Sequence, residues 1–200
     1  MNNRLYIRNY LVEMQGIIDN ISDDDVDRVV RLLLDVWKND RQVFICGNGG
    51  SASTATHFTC DLAKATIVED KKRFKVYCLN DNVPLITALV NDNGFDNLFL
   101  EQLKSLFQKG DVLICLSVHG GAGKDKAALW SQNLLKAMKY AKDAGGRTIG
   151  FSGFDGGPMK DMADACVVVP ANSTPQVESF HIALEHLICS CLKERIAESA

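Results

Sequence analysis

The sequence predicts an α/β fold, built on a parallel sheet with helices on both faces. Five short apolar runs rich in β-branched residues are separated by helical patterns, and no linker, repeat or low-complexity segment divides them. The chain has 200 residues, 46% hydrophobic and 24% charged, which supports one full core and excludes wholesale disorder. A net charge of −3 without a basic block excludes a nucleic-acid coat and a polybasic membrane surface. No apolar run reaches the roughly 20 residues of a membrane helix. Charge interrupts every apolar stretch of the N-terminus, which makes it a poor signal peptide. The seven cysteines are scattered, with no CxxC pair. Reduced thiols and a cytoplasmic location are expected.

Apolar positions at Leu5, Tyr6, Tyr10, Leu11, Met14, Ile17 and Ile18 follow a helical period. Ser22 before Asp23, Asp24 and Asp25 is a good start for a second helix reaching Trp37, because acids suit the positive end of the dipole. These leading helices, within residues 1–40, are expected either to pack on the domain or to reach another subunit. Strands are expected at Gln42–Cys46, Phe74–Cys78, Asp111–Leu116, Arg147–Phe151 and Ala165–Val169. The helices between and after them are placed at Ser51–Ala65, Val83–Val90, Asn97–Gln108, Ala127–Ala144 and Gln176–Glu194. Asn91-Asp92-Asn93-Gly94 and Asp155-Gly156-Gly157 read as turns.

The strongest local signal is the segment Gly47-Asn48-Gly49-Gly50-Ser51, where a strand ends and a helix begins. Small residues there let backbone N–H groups approach an anion, and the helix dipole favours negative charge. The segment is neither GxGxxG nor GxxxxGK[ST], which disfavours a nucleoside triphosphate. A purely structural glycine turn with a serine cap is the competing reading.

With NDNGFDNLF, DVLICLS and VESFHIALEH in matching order downstream, GNGGSASTATHF resembles the sugar isomerase (SIS) domain, and within it the phosphoheptose isomerases. The likeness spans about residues 3–195. It implies a flavodoxin-like five-stranded sheet and a homotetramer. It also implies interconversion of sedoheptulose 7-phosphate with an aldoheptose phosphate in those relatives that are enzymes.

Residue by residue, the resemblance puts Asn48, Gly49, Gly50 and Ser51 at the substrate, with Asp92, Ser117 and His119 as further substrate-binding positions. It makes Asp61, Glu178 and His186 the catalytic candidates. His57, Asp61, Glu178 and His186 form the candidate set for one divalent metal, zinc in some relatives. The chemistry fits, since an enediol route needs a base, an acid and a group to stabilise developing oxygen charge. His57 and Asp61 are spaced i, i+4 and share a helix face. Glu178 and His186 lie within roughly 80° of each other around a helix of 3.6 residues per turn. A metal-free acid/base pair remains the alternative at this point.

Two departures stand out. Asp61 is one methylene shorter than the glutamate usual in these isomerases, and Glu178 replaces a glutamine. The loop after the third strand in sequence reads Ser117-Val118-His119-Gly120-Gly121 and keeps a single hydroxyl where the relatives have several. His119, Lys124 or Lys126 would have to compensate at the phosphate. His119 is expected to face the pocket. A changed sugar substrate, or a non-catalytic phosphosugar-binding or protein-interaction module, are the competing functions.

Overall fold

The computed structural model describes residues 2–121 and 131–199. Two helices lead the chain. In α1 (Asn3–Ile18) the Asn2 side chain accepts hydrogen bonds from the Arg4 and Leu5 N–H groups. In α2 (Asp23–Lys38) Ser22 Oγ accepts from the Asp25 N–H at 3.2 Å, and three aspartates fill the first turn. Thereafter strands and helices alternate: β1 (Gln42–Gly47), α3 (Gly50–Lys64), β2 (Lys75–Cys78) and α4 (Val83–Asn93). A 3₁₀ turn (Phe95–Asn97) leads into α5 (Leu98–Leu106), β3 (Val112–Leu116), α6 (Gln132–Asp143) and β4 (Arg147–Ser152). The chain continues with α7 (Gly157–Met162), β5 (Ala165–Val168) and α8 (Thr174–Ala197).

All strand pairs are parallel, in the order β2-β1-β3-β4-β5. This is the flavodoxin-like arrangement, whose strand order reverses between β1 and β3. The pleat sends alternate side chains to opposite faces. Val43, Ile45, Val112, Ile114, Ile149 and Phe151 pack toward α2, α3 and α8. Phe44, Cys46, Leu113 and Cys115 pack toward α5 and α6. The buried Asp111 carboxylate ties the two central strands at their N-terminal ends, accepting from the Gln42 backbone N–H at 2.9 Å and the Gln108 N–H at 2.8 Å.

Three differences from the sequence reading concern short segments. Asn91–Asn93 complete the last turn of α4, and Gly94, at φ 81°, stops it. The polar residues suited to a turn are equally content on the solvated end of a helix. The six-residue helix α7 replaces a bare turn after Asp155. The helix expected at Ala127–Ala144 begins at Gln132, with Ser131 outside it at the cap position, and Ala127–Trp130 lie outside the described residues.

The leading helices differ in their packing. Helix α2 buries Val29, Leu33 and Val36 completely. Helix α1 buries only Ile17, and leaves Leu5, Tyr6, Ile7, Leu11, Val12 and Ile18 more than half exposed. No helix among the described residues is long and apolar enough to cross a membrane.

Candidate active site

The carboxyl ends of β1 and β3 flank the point where strand order reverses, the usual place for a ligand in such sheets. Beyond β1, Gly49 adopts φ 57°, and the Ser51 and Ala52 N–H groups close the turn onto the carbonyls of Asn48 and Gly49. The Asn48 amide forms a reciprocal pair with the fully buried Asn133 at 3.0 and 2.9 Å, and Asn133 Oδ1 also accepts the Leu134 N–H. Beyond β3, Ser117 Oγ accepts the Gly121 N–H at 3.0 Å. A cavity of about 150 Å³ lies between the two loops, lined by Asn48, Ser51, Ser117, His119, Ser131 and Glu178 among others. His119 thus shares a cavity with Ser51. Its ring leans on Phe154, with centroids 4.2 Å apart. Lys124 and Lys126 lie outside the described residues.

Helices α3 and α8 run side by side from this cavity. At the near end Glu178 sits against Gly50, where any added Cβ would meet its carboxylate. At the far end a second group converges. His57 Nε2 and His186 Nε2 are 3.2 Å apart, and Asp61 Oδ2 is 3.3 Å from His186 Nε2 and 3.8 Å from His57 Nε2. The fourth member is Glu185, whose Oε1 lies 3.8 Å from both Nε2 atoms.

The structure therefore divides the four residues that the pattern joined. His57, Asp61 and His186 come together, whereas Glu178 belongs to the cavity lining. The reason is axial. Eight residues bring Glu178 and His186 near in angle but separate them by about 12 Å of helical rise. Asp92 departs as well: it is exposed on α4, its Oδ1 accepting from Asn91 Nδ2 at 2.6 Å, and is not among the residues lining this cavity.

Two residues now at the site escaped the sequence reading. Asn133 is 85 residues from the Asn48 it pairs with. Glu185 lies on the buried stripe of α8 with Val177, His181, Leu184 and Ile188, and a charge on an apolar stripe is the signal that could have found it.

Burial governs the electrostatics. Glu185 is 0% exposed, and neither carboxylate oxygen has a hydrogen-bond partner. Burial first, and the Asp61 charge second, push its pKa up to about 8. His181, one turn earlier, hydrogen-bonds through Nε2 to the Ser152 carbonyl at 3.2 Å. Burial pulls its pKa down to about 4, against that bond.

Two imidazoles and two carboxylates suit zinc. The spacing suits it too. Ligand atoms about 2.0–2.2 Å from a tetrahedral ion stand about 3.3–3.6 Å from one another. Five of the six separations here are 3.2, 3.3, 3.8, 3.8 and 3.8 Å. The cluster is open on one side, where Asp61 and His186 line a groove of about 850 Å³ with residues of α2 and α8.

The SIS-domain model matches residues 6–153. The lincomycin biosynthesis protein LmbN of Streptomyces lincolnensis is 36% identical over 187 residues, covering 92% of this chain and 67% of that protein. A phosphoheptose isomerase of Helicobacter pylori is 37% identical over 168 residues, covering 84% of this chain and 82% of that one. The structure of the phosphoheptose isomerase from Neisseria gonorrhoeae superimposes with a TM-score of 0.84 at 27% identity, over 96% of this chain and all of that one. With matched sequence over most of its length and the strand order of the fold, this chain belongs to the SIS-domain family.

Proposed function

We propose that the chain is an aldose–ketose isomerase of a phosphorylated sugar, sedoheptulose 7-phosphate or a sugar of similar length. One observation carries the reading. Two histidines and two acids converge along the α3–α8 seam, seven residues or about 10 Å of helix from a cavity at the N-terminus of α3. A phosphosugar chain can span that distance with its phosphate near the Ser51 and Ser117 loops and its carbonyl end at the cluster. The phosphoheptose isomerases among the relatives support the substrate class.

The reaction moves a proton between adjacent carbons through an enediol. In a metal-free form, Asp61 is the base for the carbon-bound proton, and His186, 3.3 Å from it, is the acid that moves the proton between the sugar oxygens. Ser51, Asn48, Ser117 and His119 position the phosphate end. Glu178 would repel a bare phosphate, so its carboxylate accepts sugar hydroxyls beside it. In the metal-assisted form, the same atoms of His57, Asp61 and His186 would instead hold one divalent ion, zinc by the chemistry of the donors. Bound there, it would polarise the sugar carbonyl and stabilise negative charge on oxygen.

The exposed apolar positions of α1 and the open side of the cluster support assembly with further copies, a homotetramer in this reading. The seven unpaired cysteines fit the cytoplasm. The described part of the phosphate loop favours a second reading of the substrate. Its one hydroxyl already accepts the Gly121 N–H, and His119 stands beside it, which suits a sugar phosphate other than heptose. Incubation of the purified protein with ketose phosphates of six to eight carbons, followed by proton and phosphorus NMR, tests both. An aldose product from the seven-carbon substrate is expected, and a product only from another length selects the second reading. No product from any of them, with or without zinc, overturns the isomerase.

A further inference from the structure

We infer that the Glu185 carboxylate is the fourth ligand of a divalent cation held by His57, Asp61 and His186, in the place that the sequence pattern gave to Glu178. The inference rests on the metal-assisted form of the function proposed above and adds a residue to it.

Glu185 is completely buried, yet neither of its oxygens has a hydrogen-bond partner. A buried carboxylate is ordinarily paired, hydrogen-bonded or bound to a metal. The available pairing is poor. Both imidazole Nε2 atoms are 3.8 Å from Oε1, beyond the range of a good hydrogen bond. They also stand 3.2 Å from each other, within hydrogen-bond distance of one another and not of Glu185. A single cation among the four atoms removes every conflict. It draws the two nitrogens and two oxygens inward, and its two positive charges offset the two carboxylates. The distances are near those between the ligand atoms of a tetrahedral ion. Glu178 cannot take this role, because its carboxylate lies over Gly50, two helical turns away.

The test is zinc titration of the metal-stripped full-length protein by calorimetry, with the zinc-induced rise in Tm as a second readout. The wild type and Glu178→Gln are expected to bind one zinc per chain with affinities within about threefold. Glu185→Gln is expected to bind at least about a hundredfold more weakly, exceeding the loss typical of groups that only orient a ligand, and to lose the Tm rise. Its metal-free Tm should be no lower than that of the metal-free wild type, because the buried carboxyl group has no hydrogen bond to lose. Should Glu185→Gln fail to fold, Glu185→Asp keeps the charge and withdraws it by one methylene, and at least about a tenfold weakening is expected. Wild-type affinity in the folded Glu185 variant, alongside loss in Asp61→Asn, overturns the assignment while leaving the metal site standing. A wild type that binds no zinc overturns the assignment and the metal. The NMR product assay decides the isomerase separately.

Discussion

Glu178 lies over Gly50, so that the N-terminus of α3 and the first turns of α8 meet through a carboxylate and a bare α-carbon. Gly50→Ala therefore displaces the Glu178 side chain into the cavity beside Asn48 and Ser51. The far end of a glutamate moves easily, so Tm should shift by no more than a few degrees. The site feels the displacement more, and kcat/KM should fall about 10- to 100-fold, as a displacement near 1 Å can cause. Steady-state kinetics with parallel thermal melts check both halves.

Asp61 stands next to both histidines and lines the open groove. Asp61→Asn keeps the shape and removes the base. A fall in kcat of about a hundredfold or more is expected, with KM changed much less. A variant retaining wild-type kcat would assign the proton transfer elsewhere.

Acidification should expose the cost of the buried His181. Its pKa is about 4 in the fold, against 6.5 for an ordinary histidine. Below pH 6.5 the unfolded chain takes up the proton and the folded chain resists it until about pH 4. Stability is therefore lost as pH falls through that window, by up to about 3 kcal/mol for this one group. Glu185 acts in the opposite sense in the metal-free protein, since a raised carboxyl pKa favours the fold toward acid. Comparing wild type with His181→Gln isolates the histidine, because Glu185 is common to both. Urea melts between pH 4 and 6.5 should show a smaller loss of stability in the variant.

Asn133 holds the turn after β1 through its reciprocal amide pair with Asn48. Asn133→Ala leaves the Asn48 amide without that partner and removes one of the two acceptors of the Leu134 N–H, the Ser131 carbonyl being the other. Destabilisation of about 1–3 kcal/mol is expected from the Asn48 amide left unpaired. Substrate binding should weaken as well, read as a higher KM.

Most of the sheet was legible because buried parallel strands write themselves as β-branched runs, and all five strands shift by only one residue at one end. The anion-favouring turn at Asn48–Ser51 was legible for the same reason: a strand that stops at glycines announces its own end. His57 and Asp61 could be paired because i, i+4 is both an angular and an axial neighbour. Glu178 and His186 could not, since agreement in angle conceals two turns of rise. Glu185 was hidden among apolar neighbours on α8, and its meaning emerges only when α3 brings His57 and Asp61 against it. The Asn48–Asn133 pair depends on the turn after β1 meeting the first turn of α6, distant in sequence, and local pattern carries no trace of it.

Proton exchange at the substrate carbon tests the central claim most directly. Sedoheptulose 7-phosphate incubated with the protein in deuterated water should acquire deuterium at the carbon that gains or loses its proton, and Asp61→Asn should slow that uptake about a hundredfold or more. A wild type that converts the sugar with no deuterium entering, or that exchanges equally fast without the Asp61 carboxylate, would contradict proton transfer at this cluster.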